Sequence, residues 1–381
     1  MDVIYSMGAK FAGDGIGSIA YQAAYGLYER QVLARLLCGS YRPNEIPASM
    51  IRSLGVASRL WRRAAVQSQY LNYLYYRLYD RWAAFHLKPC DVFHGWGTFC
   101  HRSLQRAQAL GAVTIVERAS SHTIVQAQLL QTEYARWGLT YRPFPALLDR
   151  SVAEFHTADY VLIPSDFVRD SFLAQAFPLE RLLQIPFGVD THRFQPASTN
   201  GDRPFRLLFV GQINLRKGVL YLLQAWQQLN WRNAELWLVG PIAPELQPLL
   251  RPYRRLPGLR WIDFTPDLAP LYRQADVFVF PSIEEGSALV TYEALACGLP
   301  VVTTPNAGSV IRDGVEGYLA PAGNIDRLAG RLEQLRSDDS LHRQMGQAAR
   351  RRALLFTWDT YRQRLFETLL TVVEGRVIQK R

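Results

Sequence analysis

Residues 281–304 read PSIEEGSALVTYEALACGLPVVTT, the pattern of a loop, a helix, a tight turn and a buried strand. Gly286 lies in the loop, and the apolar-periodic run 288–297 predicts the helix. Gly298 supplies the C-terminal stop of the helix before a strand begins at Val301. The first N–H groups of a helix have no partner within it and lie at the positive end of its dipole. This stretch therefore predicts a phosphate or diphosphate site at the helix start.

Two carboxylates flank this helix start. Glu285 precedes the helix, and Glu293 lies about two turns into it, where it could accept both hydroxyls of a vicinal diol such as a ribose. The alternative is an ordinary helix–strand unit with two surface acids, because a glycine-containing helix start is weak evidence for a ligand site by itself.

The length and the cysteines of the chain bound its class. With 381 residues, 49% of them hydrophobic, the chain suits two α/β domains better than one. Its four cysteines show neither a C-x-x-C pair nor the spacing of a zinc site, so we expect them to be reduced and mostly buried. The first residues lack a signal-peptide pattern, and no run has the length of a transmembrane helix. These features predict a soluble, cytoplasmic protein.

The net charge of +10 predisposes the surface to anionic partners, such as nucleotide diphosphates, acidic lipid headgroups or nucleic acid. Charge alone does not choose among them. Because the basic residues are scattered along the chain and not gathered in a recognisable nucleic-acid motif, we expect no nucleic-acid partner.

A strand, a glycine-containing loop and a helix follow one another at two places. Residues 3–6 precede the loop 13–17, and residues 205–210 precede Gly211. Their alternation with further strands and helices, among them a helix predicted at residues 243–250, indicates two Rossmann-like sheets. The Ser/Asn/Gly/Pro-rich residues 197–204 between the two have the composition of a linker.

Glu285, seven intervening residues and Glu293, within EGSALVTYEALACGLPVV, resemble the signature of the retaining nucleotide-sugar glycosyltransferases of family 4. The resemblance is strong over residues 205–321 and loose before residue 160. It implies the GT-B fold, an α/β architecture of two Rossmann-like domains that face each other across a cleft.

The resemblance also implies the domain organisation. It places an N-terminal acceptor-binding domain at residues 1–190, a linker at 191–204 and a C-terminal donor-binding domain at 205–356. A last helix, from about 357 to 381, is expected to cross back onto the N-terminal domain.

The donor-binding residues come from two loops of the C-terminal domain. Lys217 and Arg216 would neutralise the leaving diphosphate, and Glu285 would position the donor sugar near its ring hydroxyls. The family commonly has an arginine where this chain has Gln212, and an aromatic residue and a glycine where it has Ser287 and Ala288. The remaining donor contacts that the resemblance implies are Gly211 and Gly286, the backbone N–H groups of Ser287, Ala288 and Leu289, Phe264 at the base, and Glu293 at the ribose.

The N-terminal domain is expected to hold the acceptor and part of the sugar. In the family a glycine loop faces these groups, which assigns Gly15 and Gly17 to sugar or acceptor contacts. The family has two histidines two residues apart at a strand end, where this chain has His94 and Trp96. The resemblance assigns His94 to the catalytic residues and Trp96 to the sugar or acceptor contacts. From the residues themselves, Arg118 could clamp a phosphate or an acidic acceptor, and His122 could bind a sugar hydroxyl.

Residues 52–87 alternate arginines with large aromatic residues near helical spacing. One hypothesis is an interfacial helix that contacts anionic membrane, where a lipid-linked acceptor would be found. The other is an amphipathic helix that packs its aromatic residues into the N-terminal core and keeps its arginines in water. We favour the second.

The function that these expectations favour is a retaining glycosyltransferase with a nucleotide-diphosphate sugar, UDP- or GDP-linked, as donor. The acceptor would be a hydroxyl of a saccharide, a lipid-linked saccharide or a sugar phosphate. The sequence shows no D-x-D arrangement for a divalent ion, so we expect metal independence and no cofactor. The alternatives are another sugar-nucleotide enzyme of this fold, an epimerase or a phosphorylase, or a non-catalytic basic protein that binds membrane or nucleic acid.

Overall fold

A computed structural model describes residues 1–55, 58, 61, 68–197, 203–263 and 265–379. Within these ranges the chain forms two α/β domains, each built on one fully parallel sheet. No helix in the same ranges combines the length and the apolar character needed to cross a bilayer.

The N-terminal domain has a seven-stranded sheet in the order β3-β2-β1-β4-β5-β6-β7. Its strands are β1 (Val3–Phe11), β2 (Leu33–Tyr41), β3 (Ile51–Ser53), β4 (Val92–Trp96), β5 (Val113–Glu117), β6 (Tyr160–Ile163) and β7 (Leu182–Gln184). Its helices are α1 (Ile16–Glu29), α2 (Gln69–His86), α3 (His101–Ala109), α4 (Thr123–Arg136), α5 (Pro145–Thr157) and α6 (Asp166–Leu173).

The C-terminal domain has a six-stranded sheet in the order β10-β9-β8-β11-β12-β13. Its strands are β8 (Phe205–Val210), β9 (Ala234–Val239), β10 (Leu259–Ile262), β11 (Val277–Phe280), β12 (Val301–Thr303) and β13 (Gly317–Leu319). The helices that follow β8 are α7 (Val219–Leu229), α8 (Ala269–Arg273), α9 (Leu289–Ala296), α10 (Ile325–Ser337), α11 (Asp339–Ala353) and α12 (Trp358–Gln379).

The central strands are mostly apolar, as expected for parallel strands that are covered on both faces of the sheet. β8 reads FRLLFV and β11 reads VFVF, and all four residues of β11 are buried. In both sheets the order reverses beside the first strand of the domain, β1 or β8. Ligands of open parallel sheets bind beyond the carboxyl ends of the strands at such a switch point, so the fold directs attention to the loops after β1 and β8.

The last helix, α12, returns to the N-terminal domain and packs on α1. Arg362 donates to the side chain of Gln22 at 2.7 Å and forms an ion pair with Glu29 at 3.2 Å. A Cβ atom on Gly26 would lie 2.7 Å from Cβ of Arg362, so this glycine allows the two helices to approach closely. The predicted fold class is confirmed: two Rossmann-like α/β domains with a C-terminal helix that crosses back.

One predicted helix differs in the structure, and one predicted segment is described only in part. A helix expected at residues 243–250 is absent from the described chain, which has short 3-10 turns at Pro244–Leu246 and Arg251–Tyr253. Proline occurs at every fourth position there, at 244, 248 and 252, and each proline removes a helical N–H donor. The interpretation of residues 52–87 falls partly on positions 56–57, 59–60 and 62–67, which lie outside the described residues.

Candidate active site

Lys217 and Glu285 meet where the loop after β8 reaches the loop after β11. Nζ of Lys217 contacts Oε1 of Glu285, and Nη2 of Arg216 lies 3.3 Å from the same oxygen. The side chains of Lys217 and Glu285 are 17% and 13% exposed. Three residues that the sequence assigned to one site therefore form one charged cluster, although 68 positions separate Lys217 from Glu285.

Local backbone contacts hold Lys217 in this place. The side chain of Asn214 accepts from the N–H of Lys217 at 3.0 Å and so caps a short 3-10 turn, Leu215–Lys217. Gly218 ends the turn with a φ of +70°, and a Cβ atom there would lie 1.9 Å from the carbonyl oxygen of Pro281. The carbonyl of Arg216 also accepts from the N–H of Ile283 at 2.8 Å. The turn is thus fixed directly against the chain that leaves β11.

Replacing Gly218 by alanine is expected to destabilise the protein by roughly 1–3 kcal/mol, since alanine disfavours this φ and its Cβ meets Pro281. Urea unfolding of the full chain measures the loss. The matched control is Gly138→Ala, which has the same φ of +70° but nothing within 4 Å of the added Cβ. Equal destabilisation by the two substitutions would show that the contact with Pro281 has no energetic weight.

The charge of Lys217 depends on its surroundings. Burial, followed by the neighbouring guanidinium of Arg216, lowers the pKa of Lys217 to about 7. A phosphate beside Nζ would favour the ammonium form and raise this pKa again. The lysine is therefore suited to gain a full charge when an anion binds.

The start of α9 offers a different set of free backbone donors from the set that the sequence indicated. The N–H of Ala288 donates to the carbonyl of Ala307 at 3.0 Å, so the expectation that Ala288 presents a free N–H is wrong. The N–H groups of Gly286, Ser287, Leu289 and Val290 have no acceptor among the described residues. The side chain of Ser287 points inward, where its Oγ donates to the carbonyl of Gly308 at 2.9 Å. Four backbone donors thus remain for an anion, and Val290 is one that the sequence reasoning missed.

Glu293 lies on the next turn of α9 and lines a cavity of about 490 Å³. Tyr272 donates to its Oε2 at 2.8 Å, and burial raises the pKa of Glu293. Leu289 lines the same cavity beside it, and Ser18 of α1 closes the cavity from the N-terminal domain. Part of the predicted donor site therefore lies between the two domains.

The other predicted donor contacts have different surroundings. Gly211 follows β8 with a φ of +149°. A Cβ atom on Gly240 would lie 2.3 Å from the carbonyl oxygen of Gly211, so the two backbones are in close contact. Gln212 is exposed, and its Oε1 accepts from Nδ2 of Asn214 at 3.0 Å. Phe264 lies outside the described residues.

Glu284 is a buried carboxylate that the sequence reasoning missed. Its side chain is 0% exposed, and its oxygens accept from Nε of Arg216, from Ser121 and from Gln126. The signal available in the sequence was a second acid directly before Glu285, in a loop that follows a fully buried strand. Since Ser121 and Gln126 belong to the N-terminal domain, Glu284 joins the two domains.

The glycine loop after β1 forms the facing wall. Gly15 caps α1 with a φ of +58°, and a Cβ on Gly17 would lie 2.4 Å from the carbonyl oxygen of Lys10. Between them Ile16 lines a second cavity, of about 450 Å³, while Ser18 lines the first. The first turn of α1 therefore separates the two cavities.

The second cavity combines aromatic walls with one cationic side chain. Trp96 and Phe99 line it, together with Arg118 at the end of β5. Arg118 donates from Nε to the carbonyl of Ser121 at 3.0 Å and from Nη2 to Oε1 of Gln126 at 2.9 Å. No carboxylate of the described chain forms an ion pair with it, and burial lowers its pKa. Sugars suit such a surface, because their apolar faces stack on aromatic rings while their polar groups meet the guanidinium.

His94 and His122 have structural places instead of the predicted ones. His94 is 0% exposed, and its Nε2 lies 3.0 Å from Oε2 of Glu117. It lies in β4, two residues before Trp96, and is not among the residues that line either cavity. His122 caps α4, its ring packs between Phe155 and Phe172, and burial lowers its pKa to about 4. A neutral, enclosed histidine of this kind stabilises the fold.

Residues 204–338 match the family described as Glycosyl transferases group 1. The matched residues lie in the C-terminal domain, which is therefore similar to a glycosyl transferases group 1 domain. It supplies Arg216, Lys217, Glu285 and Glu293, which all lie within the matched range. In the described part of this domain, and of the whole chain, no group of three or more His, Cys, Asp or Glu side chains could hold a metal ion.

Curated relatives extend the similarity beyond this domain. D-inositol 3-phosphate glycosyltransferase of Paenarthrobacter aurescens is 32% identical over 53% of this chain and 55% of its own length. GDP-mannose-dependent alpha-(1-6)-phosphatidylinositol monomannoside mannosyltransferase of Mycolicibacterium smegmatis is 30% identical over 58% of this chain and 64% of its own length. The chain thus spans about half to two thirds of the length of these relatives.

Solved structures match almost the whole chain. Sucrose-phosphate synthase from Thermosynechococcus elongatus superposes with a TM-score of 0.74 at 18% identity and covers 98% of this chain and 100% of its own. Anabaena HepE in complex with UDP has a TM-score of 0.69 at 16% identity, with 97% and 100% covered. At these identities the likeness concerns the fold, and the expectation of a GT-B fold that joins the group 1 domain to a second Rossmann-like domain is confirmed.

Proposed function

We propose that the protein is a retaining glycosyltransferase that moves a sugar from a UDP- or GDP-linked donor onto a hydroxyl of a saccharide, lipid-linked or sugar-phosphate acceptor. The observation that carries the proposal is the cluster of Lys217, Arg216 and Glu285 beside the free N–H groups of α9. Two cations and several backbone donors at a helix start suit a diphosphate. The relative in Mycolicibacterium smegmatis is named as GDP-mannose-dependent, which supports a nucleotide-sugar donor.

In this proposal the diphosphate binds at the start of α9 and the ribose hydroxyls at Glu293. Gly211 and Gln212 lie beside the diphosphate after β8, and Phe264 is proposed to contact the base. Lys217 and Arg216 balance the charge that develops on the leaving diphosphate. Glu285 orients the donor sugar through its ring hydroxyls.

The transfer proceeds on one face of the sugar. The bond between the anomeric carbon and the diphosphate oxygen breaks, the acceptor oxygen bonds to the same face of that carbon, and the leaving diphosphate takes the acceptor proton. No side chain serves as a nucleophile, and the anomeric configuration is retained. Because Lys217 and Arg216 supply the positive charge, excess chelator is expected to leave the rate unchanged.

Nucleotide screening tests the donor site. The melting temperature of the full chain, measured with UDP, GDP, ADP and their common sugars, should rise with one uridine or guanosine compound above all others. A matching nucleotide sugar should then release its diphosphate when an acceptor is added, and NMR of the new glycosidic bond gives its configuration. An inverted product would overturn the retaining mechanism, and no response to any nucleotide would overturn the donor assignment.

The acceptor is proposed to bind in the cavity of Trp96 and Arg118, with the glycine loop of Gly15 and Gly17 along its edge. Replacing Arg118 by glutamine is expected to raise the acceptor KM about tenfold or more, because the guanidinium supplies a charged hydrogen bond. The donor KM should stay unchanged. Initial rates at varied acceptor concentration measure this, with the exposed Arg102→Gln as control. An unchanged acceptor KM would place the acceptor elsewhere.

A peripheral contact with anionic membrane at the inner face is a further part of the proposal. On α2, Tyr70, Leu78 and Phe85 are 59%, 46% and 84% exposed, and Arg77 and Arg81 are exposed on the same helix. Apolar side chains flanked by arginines suit an anionic bilayer surface. The full chain should sediment with anionic vesicles. Less of it should sediment with neutral vesicles, and less of the double variant Arg77→Gln/Arg81→Gln should sediment with anionic ones. Negligible binding to both vesicle types removes the membrane contact.

A further inference from the structure

Glu284 gathers hydrogen bonds from both domains on one enclosed carboxylate. Its Oε1 accepts from the N–H of Ser121 at 3.0 Å and from Oγ of the same residue at 2.7 Å. Its Oε2 accepts from Nε2 of Gln126 at 2.9 Å and from Nε of Arg216 at 2.8 Å. Three of these four donors belong to the N-terminal domain, and the fourth is the arginine of the group 1 domain.

The carboxylate is charged although it is enclosed. Burial raises the pKa of Glu284, but Arg216 and the hydrogen bonds from Gln126 and Ser121 outweigh burial and hold it below its ordinary value. An enclosed charge without such partners is strongly destabilising. Separating the domains at this point would remove the partners of an enclosed charge and would therefore be unfavourable.

Arg216 is held on two sides by acids. Its Nε lies 2.8 Å from Glu284, and its Nη2 lies 3.3 Å from Glu285. The carbonyl of Glu284 also accepts from the same Nε at 3.0 Å. These contacts fix the plane of the guanidinium, so the direction in which Arg216 presents its remaining donors depends on Glu284.

Gln126 extends the connection to the acceptor side. Its Nε2 donates to Glu284 and its Oε1 accepts from Arg118. A continuous chain of polar contacts therefore runs from Arg118, through Gln126, Glu284 and Arg216, to Glu285. It links the cavity proposed for the acceptor to the cluster proposed for the donor.

The backbones of the two domains also approach closely beside Glu284. A Cβ atom on Gly286 would lie 1.7 Å from the carbonyl oxygen of Ala119. The hydroxyl of Ser165 donates to the carbonyl of Gly286 at 2.5 Å. These contacts hold the loop that carries Glu285 directly against the N-terminal domain.

We propose that Glu284 is a positioning residue that orients Arg216 and, through Ser121 and Gln126, holds the acceptor domain closed over the donor cluster. Its catalytic consequence rests on the function proposed above, whereas its effect on domain closure does not. Once the domains close, the acceptor cavity and the leaving-group cations are set in one geometry.

The variant Glu284→Gln tests this in the full chain. The amide nitrogen that replaces Oε2 donates and accepts from neither Arg216 nor Gln126, so the guanidinium loses its fixed plane and the domain contact weakens. We expect kcat to fall about 10- to 100-fold with a small change in the donor KM. Small-angle scattering should give a larger radius of gyration than wild type. Gly286→Ala, which forces Ala119 away, should reproduce the larger radius.

The control is Glu133→Gln, a second enclosed carboxylate between the domains. Glu133 is 4% exposed and accepts from the hydroxyl of Tyr221 on α7 at 2.8 Å, but it does not touch Arg216. It should lower the unfolding midpoint while leaving kcat near wild type. Equal losses of kcat in Glu284→Gln and Glu133→Gln would reduce Glu284 to an interdomain contact and overturn the proposal. An unchanged radius and kcat in a folded Glu284→Gln would do the same. If wild type transfers no sugar, the proposed function fails, and scattering alone decides on closure.

Discussion

Replacing Lys217 by methionine is expected to lower kcat/KM for transfer by about 30- to 1000-fold, equivalent to about 2–4 kcal/mol of transition-state stabilisation. The ammonium group lies in the charged cluster with Glu285, largely enclosed, where a charge on a leaving diphosphate would interact with it strongly. Methionine keeps most of the volume of the side chain and removes only the charge. Initial rates with a nucleotide sugar and its acceptor measure the effect.

The controls separate charge from packing. Lys88→Met makes the same chemical change at an exposed position outside the site and should leave the rate unchanged. Lys217→Arg keeps a cation but changes its shape, and it should retain more activity than methionine. Turnover of Lys217→Met close to that of wild type would remove Lys217 from the chemistry.

The fold could be predicted largely because its signals are local. β11 is a continuous apolar run and β8 is apolar except for Arg206, and each is followed by a loop and a helix, so two parallel sheets follow from pattern alone. The crossing of α12 could not be derived in this way, since it depends on the long-range contact of Arg362 with Gln22 and Glu29, and it came from the family resemblance. The predicted helix at 243–250 is wrong because the prolines at 244, 248 and 252 each remove a helical N–H donor.

The site residues could be predicted where their position after a strand places them at the sheet edge. They could not be predicted where tertiary packing decides whether a side chain is exposed to a ligand or buried. Lys217 and Glu285 follow strands, and the carboxyl ends of parallel strands meet at one edge, so their contact was accessible to sequence reasoning. His94 and His122 have the chemistry of a ligand contact, but their enclosure is a tertiary property that no local pattern reports. The prediction of a free N–H at Ala288 is wrong for a similar reason, since this N–H donates to the carbonyl of Ala307 in another loop.

Glu284 is the opposite case, a buried residue of the site that the sequence did not reveal. The spacing to Glu293 assigned Glu285 to the donor site, but nothing in the sequence indicated that the adjacent Glu284 would join the domains. The structure separates them: Glu285 contacts Lys217, while Glu284 contacts Ser121 and Gln126. For the proposed transfer such a division matters, because the chemistry would need both a positioned charge and a closed cleft.

Replacing Glu285 by glutamine is expected to lower kcat by about 30- to 1000-fold while the affinity for the nucleoside diphosphate stays equal or becomes tighter. The two effects differ because Glu285 has two kinds of partner. As the proposed contact to the donor sugar, its carboxylate acts in the transition state. As the acid beside Lys217 and Arg216, it opposes the binding of a second anion to the same cations.

Isothermal titration with the diphosphate and initial rates of transfer measure the two quantities on one protein preparation. Glu180→Gln, at an exposed position remote from the cluster, serves as control and should change neither. A fall in affinity matching the fall in rate would mean that Glu285 acts only by arranging the cations. Preserved turnover would exclude it from the reaction. A lower kcat with preserved or tighter diphosphate binding distinguishes a group that positions the sugar from one that neutralises the leaving group, which is the role left to Lys217.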